Sequence, residues 1–250
     1  MEAVAIHSPK SAGRTRGPTE RIESLEWTAV ARDLDGYGCA VLPKILDLGE
    51  CRALSLMYQD PSVFRSRVVM GQHGFGRGEY QYFKYPLPTI IADLRTTLYA
   101  RLAPIANAWN EAMRIEIRYP PTHGEFLERC HTAGQTRPTP LLLQYGAGDY
   151  NCLHQDLYGE HVFPMQVAIL LSNPGTDFSG GEFVLTEQRP RMQSRAEVVP
   201  LVQGDAVVFA VHHRPVPGTR GVYRVKLRHG VSRLRSGHRH TAGIIFHDAE

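Results

Sequence analysis

Hydrophobic and polar positions divide this chain into two halves of different period. In residues 23–34, Leu25, Val30 and Leu34 recur at roughly helical spacing and predict a first helix. Asp47-Leu-Gly-Glu50 sets an acid three positions after a capping residue and precedes Cys51, Leu54 and Met57 on one face, so a second helix starts there. A longer helical stretch is expected over residues 89–113, interrupted at Pro104. Thr122-His-Gly-Glu125 repeats the capping-box pattern and opens a short helix that Gly134 closes. From Pro140 onward, LLLQY, VAILL, GEFVL, DAVVFA, YRVKL and HTAGIIF are short apolar or alternating runs. Asn173-Pro-Gly, Ser179-Gly-Gly and Pro217-Gly punctuate them as turns. Six or more short strands at this spacing predict a β-sandwich or barrel, with the helical half packed on its outside. The fold class is therefore mainly β with helices (α+β).

Residues 1–22 are rich in Ser, Gly, Pro and Arg without periodic apolar positions, which predicts a mobile tail. Residues 23–250 read as a single domain, with helical support over 23–135 and a stranded core over 138–248. A hydrophobic content of 42% with 21% charged residues is ordinary for a globular chain and sufficient for one core. No apolar run approaches the roughly 18 residues of a membrane span. The N-terminus lacks the continuous apolar stretch of a secretory leader. Cys39, Cys51, Cys130 and Cys152 show no paired spacing, so a disulfide scaffold is not expected and a reducing cytoplasm is.

The net charge of +3 is unevenly spread. Residues 187–240 hold 11 Arg or Lys against Glu187, Glu197 and Asp205, a local +8 that leaves −5 elsewhere. This asymmetry suits an anionic partner such as nucleic acid. It equally suits strands whose solvent-facing residues happen to be basic.

The candidate chemistry centres on His154-Gln-Asp156, with His229 and then Arg239 downstream. Two imidazoles and a carboxylate are the protein's share of a non-heme Fe(II) site that leaves three metal positions open. On a strand, residues two apart face the same way, so His154 and Asp156 can reach one ion. With 12 His in 250 residues, His-x-Asp alone is expected about half a time by chance, so the surroundings carry the weight. Tyr145 ends the strand LLLQY nine residues earlier, His229 ends YRVKLRH, and Arg239 opens RHTAGIIF. His161 and His212-His213 compete for the third ligand, and Arg233 and Arg235 compete with Arg239. Cys130-His131 and Cys152 suggest zinc but lack paired ligand spacing. Gly74-Phe-Gly-Arg-Gly78 is no phosphate fingerprint; with Tyr80, Tyr82 and Phe83 it reads as an aromatic hairpin, packed on the barrel or serving as a base-stacking lid.

In this order of residues the chain resembles the Fe(II)/2-oxoglutarate dioxygenase superfamily, whose core is a double-stranded β-helix (jelly roll). LLLQYGAGDYNCLHQD resembles the AlkB-type repair dioxygenases. FGRGEYQYF, RPTPLLLQY, GGEFVLTEQRPRMQSRAEVVP and HGVSRLRSG resemble a bacterial oxygenase family linked to oxidative demethylation of damaged nucleic acid, a likeness that spans residues 25–248. The resemblance implies a jelly-roll core flanked by N-terminal helices, with His154, Asp156 and His229 as catalytic iron ligands. It implies Tyr145 and Arg239 as 2-oxoglutarate contacts, joined by Thr241 on the face of Arg239. Fe(II), 2-oxoglutarate and O2 are the implied cofactor and co-substrates, and alkylated DNA or RNA the implied partner. The AlkB pattern has an asparagine at the position of Leu143 and a second arginine at that of Ile245, so the pocket looks closer to the broader hydroxylase type. The alternatives are hydroxylation of an amino acid or of a prolyl or other peptidyl side chain, and a cupin-like binding or sensory protein without catalysis.

Overall fold

The computed structural model describes residues 16–219 and 221–250. The second half is stranded as expected, but the first half is not purely helical support: besides its helices it supplies four strands, at Cys39–Leu42, Phe64–Val69, Gly76–Arg77 and Glu79–Phe83, that join the two main sheets. The segment expected as a tail, residues 1–22, overlaps a helix. Pro18–Glu23 form helix α1, with proline at its first position, Ile22 fully buried and Arg21 donating to the Ile45 carbonyl at 3.0 Å. One buried isoleucine leaves no period to read, which is why the segment looked unstructured. Residues 1–15 of that expected tail lie outside the described residues.

Helix α2 (Trp27–Tyr37) ends at Gly38 in the left-handed conformation, φ 78°. Helices α3 (Leu48–Met57) and α5 (His123–Thr132) open on the two expected capping boxes, Asp47 with Glu50 and Thr122 with Glu125. Helix α4 (Thr89–Ala112) departs from expectation by running through Pro104. That proline lies on the exposed face, so the carbonyl it strands turns to water while Leu98, Tyr99, Leu102 and Ala106 stay buried on the other side.

Fifteen strands lie among the described residues. In chain order they are β1 (Cys39–Leu42), β2 (Phe64–Val69), β3 (Gly76–Arg77), β4 (Glu79–Phe83), β5 (Leu141–Tyr145), β6 (Tyr150–His154), β7 (Met165–Leu170) and β8 (Phe178–Gly180). Then come β9 (Phe183–Gln188), β10 (Arg195–Val199), β11 (Ala206–Ala210), β12 (His213–Gly218), β13 (Gly221–Val231), β14 (Leu234–Gly237) and β15 (Arg239–Ile244). A major sheet runs β1-β11-β7-β15-β5-β4-β2. A minor sheet runs β10-β9-β13-β6-β3, with β12 also on β13, and β8 and β14 form a small pair. The named strands pair antiparallel throughout, as expected of a jelly roll.

The segment GFGRGEYQYF is not a hairpin. β3 pairs with β6 in the minor sheet, whereas β4 pairs with β2 and β5 in the major one. The chain crosses between sheets at Gly78, φ 113°, where an added Cβ would lie 2.8 Å from Cδ1 of Tyr145.

The core joins the helices to the major sheet through an aromatic cluster in which Tyr99 stacks on Phe126 at 5.5 Å and Phe163 meets Phe246 edge-on at 5.1 Å. Each such buried ring contributes about 1.5–3 kcal/mol by area. Beside it, Arg95 is buried with Asp248 at 2.7 Å and also donates to the carbonyls of Ile245 and His247. No described helix is long and apolar enough to cross a membrane.

Candidate metal and co-substrate site

The two sheets face each other across a cavity of about 360 Å³. On the minor sheet, His154 of β6 and His229 of β13 are directly paired residues. Asp156 is not a strand residue, contrary to the period-two expectation. The chain leaves β6 after His154, and Gln155 pins the loop by donating to the Leu227 carbonyl at 2.7 Å. The Asp156 carboxylate turns back so that Oδ1 lies 3.4 Å from Nε2 of His154 and Oδ2 lies 3.4 Å from Nε2 of His229. The three donor atoms fall within 4.8 Å of one another. Tyr158 donates to Asp156 Oδ1 at 2.8 Å and fixes its orientation.

The three groups are electrostatically coupled. Nδ1 of His154 sits 2.8 Å from the Cys152 carbonyl, so that nitrogen carries a proton and Nε2 is left facing a carboxylate. Burial opposes charging His154, but Asp156 outweighs it and pushes the imidazole up. Burial likewise opposes ionising Asp156, and the two imidazoles outweigh it, holding the carboxyl well below its usual range. Burial pulls His229 down, with Asp156 opposing it, so the shift favours the neutral imidazole. Phe209, 4.5 Å away centre to centre, packs against its ring. A donor set of two imidazoles and one carboxylate on one side of a cavity fits Fe(II) with open positions.

The major sheet supplies the opposite wall. Tyr145 of β5 and Arg239 of β15 are paired residues, both fully buried. Arg239 Nη1 donates to Thr241 Oγ1, yet its Nε and the Tyr145 hydroxyl have no hydrogen-bond partner. Among the described residues no carboxylate pairs with this guanidinium; its neighbours are the rings of Tyr145 at 5.7 Å and Phe178 at 5.9 Å. Burial pulls Arg239 down to about 10 and pushes Tyr145 up to about 12. An unpaired buried cation beside an unsatisfied hydroxyl is costly unless an anion fills the space between them.

The structure thus brings His154, Asp156, His229, Tyr145, Arg239 and Thr241 to one cavity. Leu143 and Ile245 line it too, as apolar wall where the AlkB pattern has polar side chains. The competing residues lie elsewhere. His212 and His213 face each other as a tilted pair at 3.6 Å, His161 is tied through its amide to Gln135, and Arg233 lies over Tyr150. Cys130 is buried and His131 pairs with Asp248, so they assemble no zinc site among the described residues. Tyr80 and Tyr82 line the cavity wall as part of β4 rather than forming a lid. Two residues escaped the sequence reading: Tyr158, and Gln166, whose buried Nε2 is unpartnered at the cavity wall. Neither carries a signal in the sequence, since Tyr158 lies in the loop after β6, where strand alternation does not apply.

Residues 78–249 match the protein family described as "Oxygenase, catalysing oxidative methylation of damaged DNA". An uncharacterized protein of Mycobacterium tuberculosis (strain H37Rv) is 51% identical over 167 residues, covering 67% of this chain and 72% of that protein. Among solved structures, a Pseudomonas putida prolyl-4-hydroxylase superposes with TM-score 0.51 at 16% identity, over 90% of this chain and 99% of that one. An oxidoreductase of the 2OG-Fe(II) oxygenase family from Burkholderia pseudomallei gives 0.52 at 17% identity, over 90% and 93%. A Trichoplax adhaerens prolyl hydroxylase, in complex with a hypoxia inducible factor peptide fragment, gives 0.54 at 14% identity, over 89% of each. The chain belongs to this oxygenase family, and it is an enzyme built on the jelly-roll fold of the 2-oxoglutarate/Fe(II) oxygenases.

Proposed function

We propose that this oxygenase works with Fe(II), 2-oxoglutarate and O2 in the cavity between the sheets, and that it oxidises N-alkyl groups on the bases of DNA or RNA. The observation that carries the first part is the facing of two walls: the His154–Asp156–His229 donor set on one, the unpaired Arg239 and Tyr145 on the other. His154, Asp156 and His229 would hold the iron. Arg239 would bind the distal carboxylate of 2-oxoglutarate through two parallel hydrogen bonds, with Tyr145 donating its hydroxyl to the same anion. Thr241 holds the guanidinium in place, and Tyr158 does the same for the Asp156 carboxylate. When bound, iron with its co-substrates supplies hydroxylation of a C–H bond, and 2-oxoglutarate leaves as succinate and CO2. On an N-methyl group the product is a hemiaminal that releases formaldehyde, so the oxidation removes the methyl.

The nucleic-acid substrate is supported by the family description and by the basic segment around β13. The faces of Tyr80 and Tyr82 in the cavity wall suit a base, and the unpartnered Gln166 Nε2 suits an acceptor on its hydrogen-bonding edge. A second reading, hydroxylation of a prolyl or other peptidyl side chain, draws on the fold shared with prolyl hydroxylases and on the apolar lining at Leu143 and Ile245. A purely binding, cupin-like role does not suit an oxygenase family. The experiment is a screen with Fe(II) and 2-oxoglutarate over N-methylated single- and double-stranded oligonucleotides and proline-containing peptides. Formaldehyde from the oligonucleotides supports the reading. An added peptide oxygen with no formaldehyde overturns it.

A further inference from the structure

β13 carries a second feature on its outer face. Val225, Leu227 and His229 point inward and are buried, whereas Arg224, Lys226 and Arg228 alternate outward and are exposed. Successive outward side chains stand about 6.6–6.8 Å apart along a strand. β12 places His213 opposite Lys226, and the chain leaving β9 brings Arg189 and Arg191 alongside. Arg189, Arg191, His213, Arg224 and Lys226 line a notch of about 310 Å³, separate from the catalytic cavity.

The charge in this notch is one-sided. Glu187, the acid beneath it, is committed to Arg214 and to Arg189 at 3.0 Å. Among the described residues no carboxylate lies within 4 Å of the side-chain nitrogens of Arg191, Arg224, Lys226 or Arg228. Arg224 is oriented by a neutral acceptor, the Met113 carbonyl at 2.7 Å, which fixes its direction without cancelling its charge. His213 is pressed down to about 4, by burial first and then by His212, Lys226 and Arg224. Cations that only met solvent would spread apart; these converge around one hollow, as an anion-binding surface does.

We propose that this notch anchors the sugar–phosphate backbone of the substrate strand, outside the cavity where the base is oxidised. This rests on the nucleic-acid reading above. Lys226 and His229 are three residues apart, about 10 Å along β13, so anchor and cavity are carried on one rigid element. Each guanidinium or ammonium that meets a phosphate displaces condensed counterions, which makes the contact sequence-independent and salt-sensitive.

The test pairs wild type with Arg191→Gln/Lys226→Gln in the full chain; both residues are exposed, and an unchanged melting temperature confirms folding. Binding of a fluorescent single-stranded oligonucleotide is followed by anisotropy across a salt series. The double variant is expected to weaken binding at least about tenfold and to lower the log–log salt slope by about two. Its KM for a methylated oligonucleotide should rise in parallel, while turnover of the methylated nucleoside, which has no phosphate, stays the same. Equal binding by the two proteins, no binding by either, or displacement by polyglutamate at matched charge overturns the anchor. Binding that depends on these residues but yields no demethylation upholds the anchor and overturns the substrate reading instead.

Discussion

Arg239→Met removes the guanidinium at the deep end of the cavity while keeping most of its volume. If this side chain pairs with the distal carboxylate of 2-oxoglutarate, its loss leaves a buried anion without a partner. Truncating one member of a buried, hydrogen-bonded charge pair costs about 2–5 kcal/mol, or roughly 30-fold to several thousand-fold in affinity. The free protein should respond differently. Arg239 is 1% exposed and has no carboxylate partner among the described residues, so the unliganded fold bears its desolvation. An unpaired buried charge costs desolvation that an apolar side chain of similar size does not, so the exchange should not destabilise the free fold. Thermal melts with divalent metal, O2 excluded, read both effects. In wild type, 2-oxoglutarate at a hundred times its Kd adds about 2.7 kcal/mol, which is roughly 5–10 °C for a chain of this size. The variant should melt no lower than wild type when free, and at that same concentration its shift should shrink to at most about 0.9 kcal/mol, roughly 2–3 °C. An undiminished shift would refute the role of Arg239 in holding the co-substrate, and a large drop in the free variant would make it a structural residue instead.

Tyr158→Phe deletes the hydroxyl that orients Asp156, and metal affinity should fall about 10- to 100-fold, measured by competition with a chelator. Gly78→Ala forces a Cβ to within 2.8 Å of the Tyr145 ring from a positive-φ position, so both stability and 2-oxoglutarate affinity should drop in the same melts. Acid should unfold the protein from the helix–sheet junction. Burial holds His123 and His247 down to about 4, while the Asp248 carboxyl is held below its ordinary value because Arg95 and its hydrogen bonds outweigh burial. A depressed histidine contributes its stability fully above about 6.5 and loses it as pH falls toward 4, up to about 3 kcal/mol each. The aspartate loses its share in the same direction at lower pH. Urea titrations from pH 7.5 to 4.5 should show falling stability, and His123→Phe should flatten that fall; an equally steep fall in the variant would place the titrating group elsewhere.

The sequence made legible what local pattern encodes. Both capping boxes opened helices, because a short polar side chain three residues before an acid satisfies the free amides of a helix end on its own. His229 was readable because it follows the alternating run YRVKL that had to be a strand, whereas His154 was singled out by the His-x-Asp pattern after Tyr145 and not by the half-exposed strand that carries it. Asp156 meets the two imidazoles by a route that strand alternation does not describe, since the loop pinned by Gln155 aims it. What stayed hidden depends on contacts between distant segments. Arg95 and Asp248 are 153 positions apart and neither shows a motif. The path through Gly78 could not be read as two sheets, because glycine permits the crossing without marking its direction. The basic residues of β13 showed alternation in sequence, and only the approach of Arg189, Arg191 and His213 turns them into a notch.

His154, Asp156 and His229 are proposed to form one iron centre that consumes 2-oxoglutarate. The most direct measurement is O2-dependent succinate formation by wild type and by His229→Ala, each supplied with Fe(II) and 2-oxoglutarate. Wild type should form succinate only when all three reactants are present, and the variant should lose it. Succinate from the variant at the wild-type rate would contradict the account.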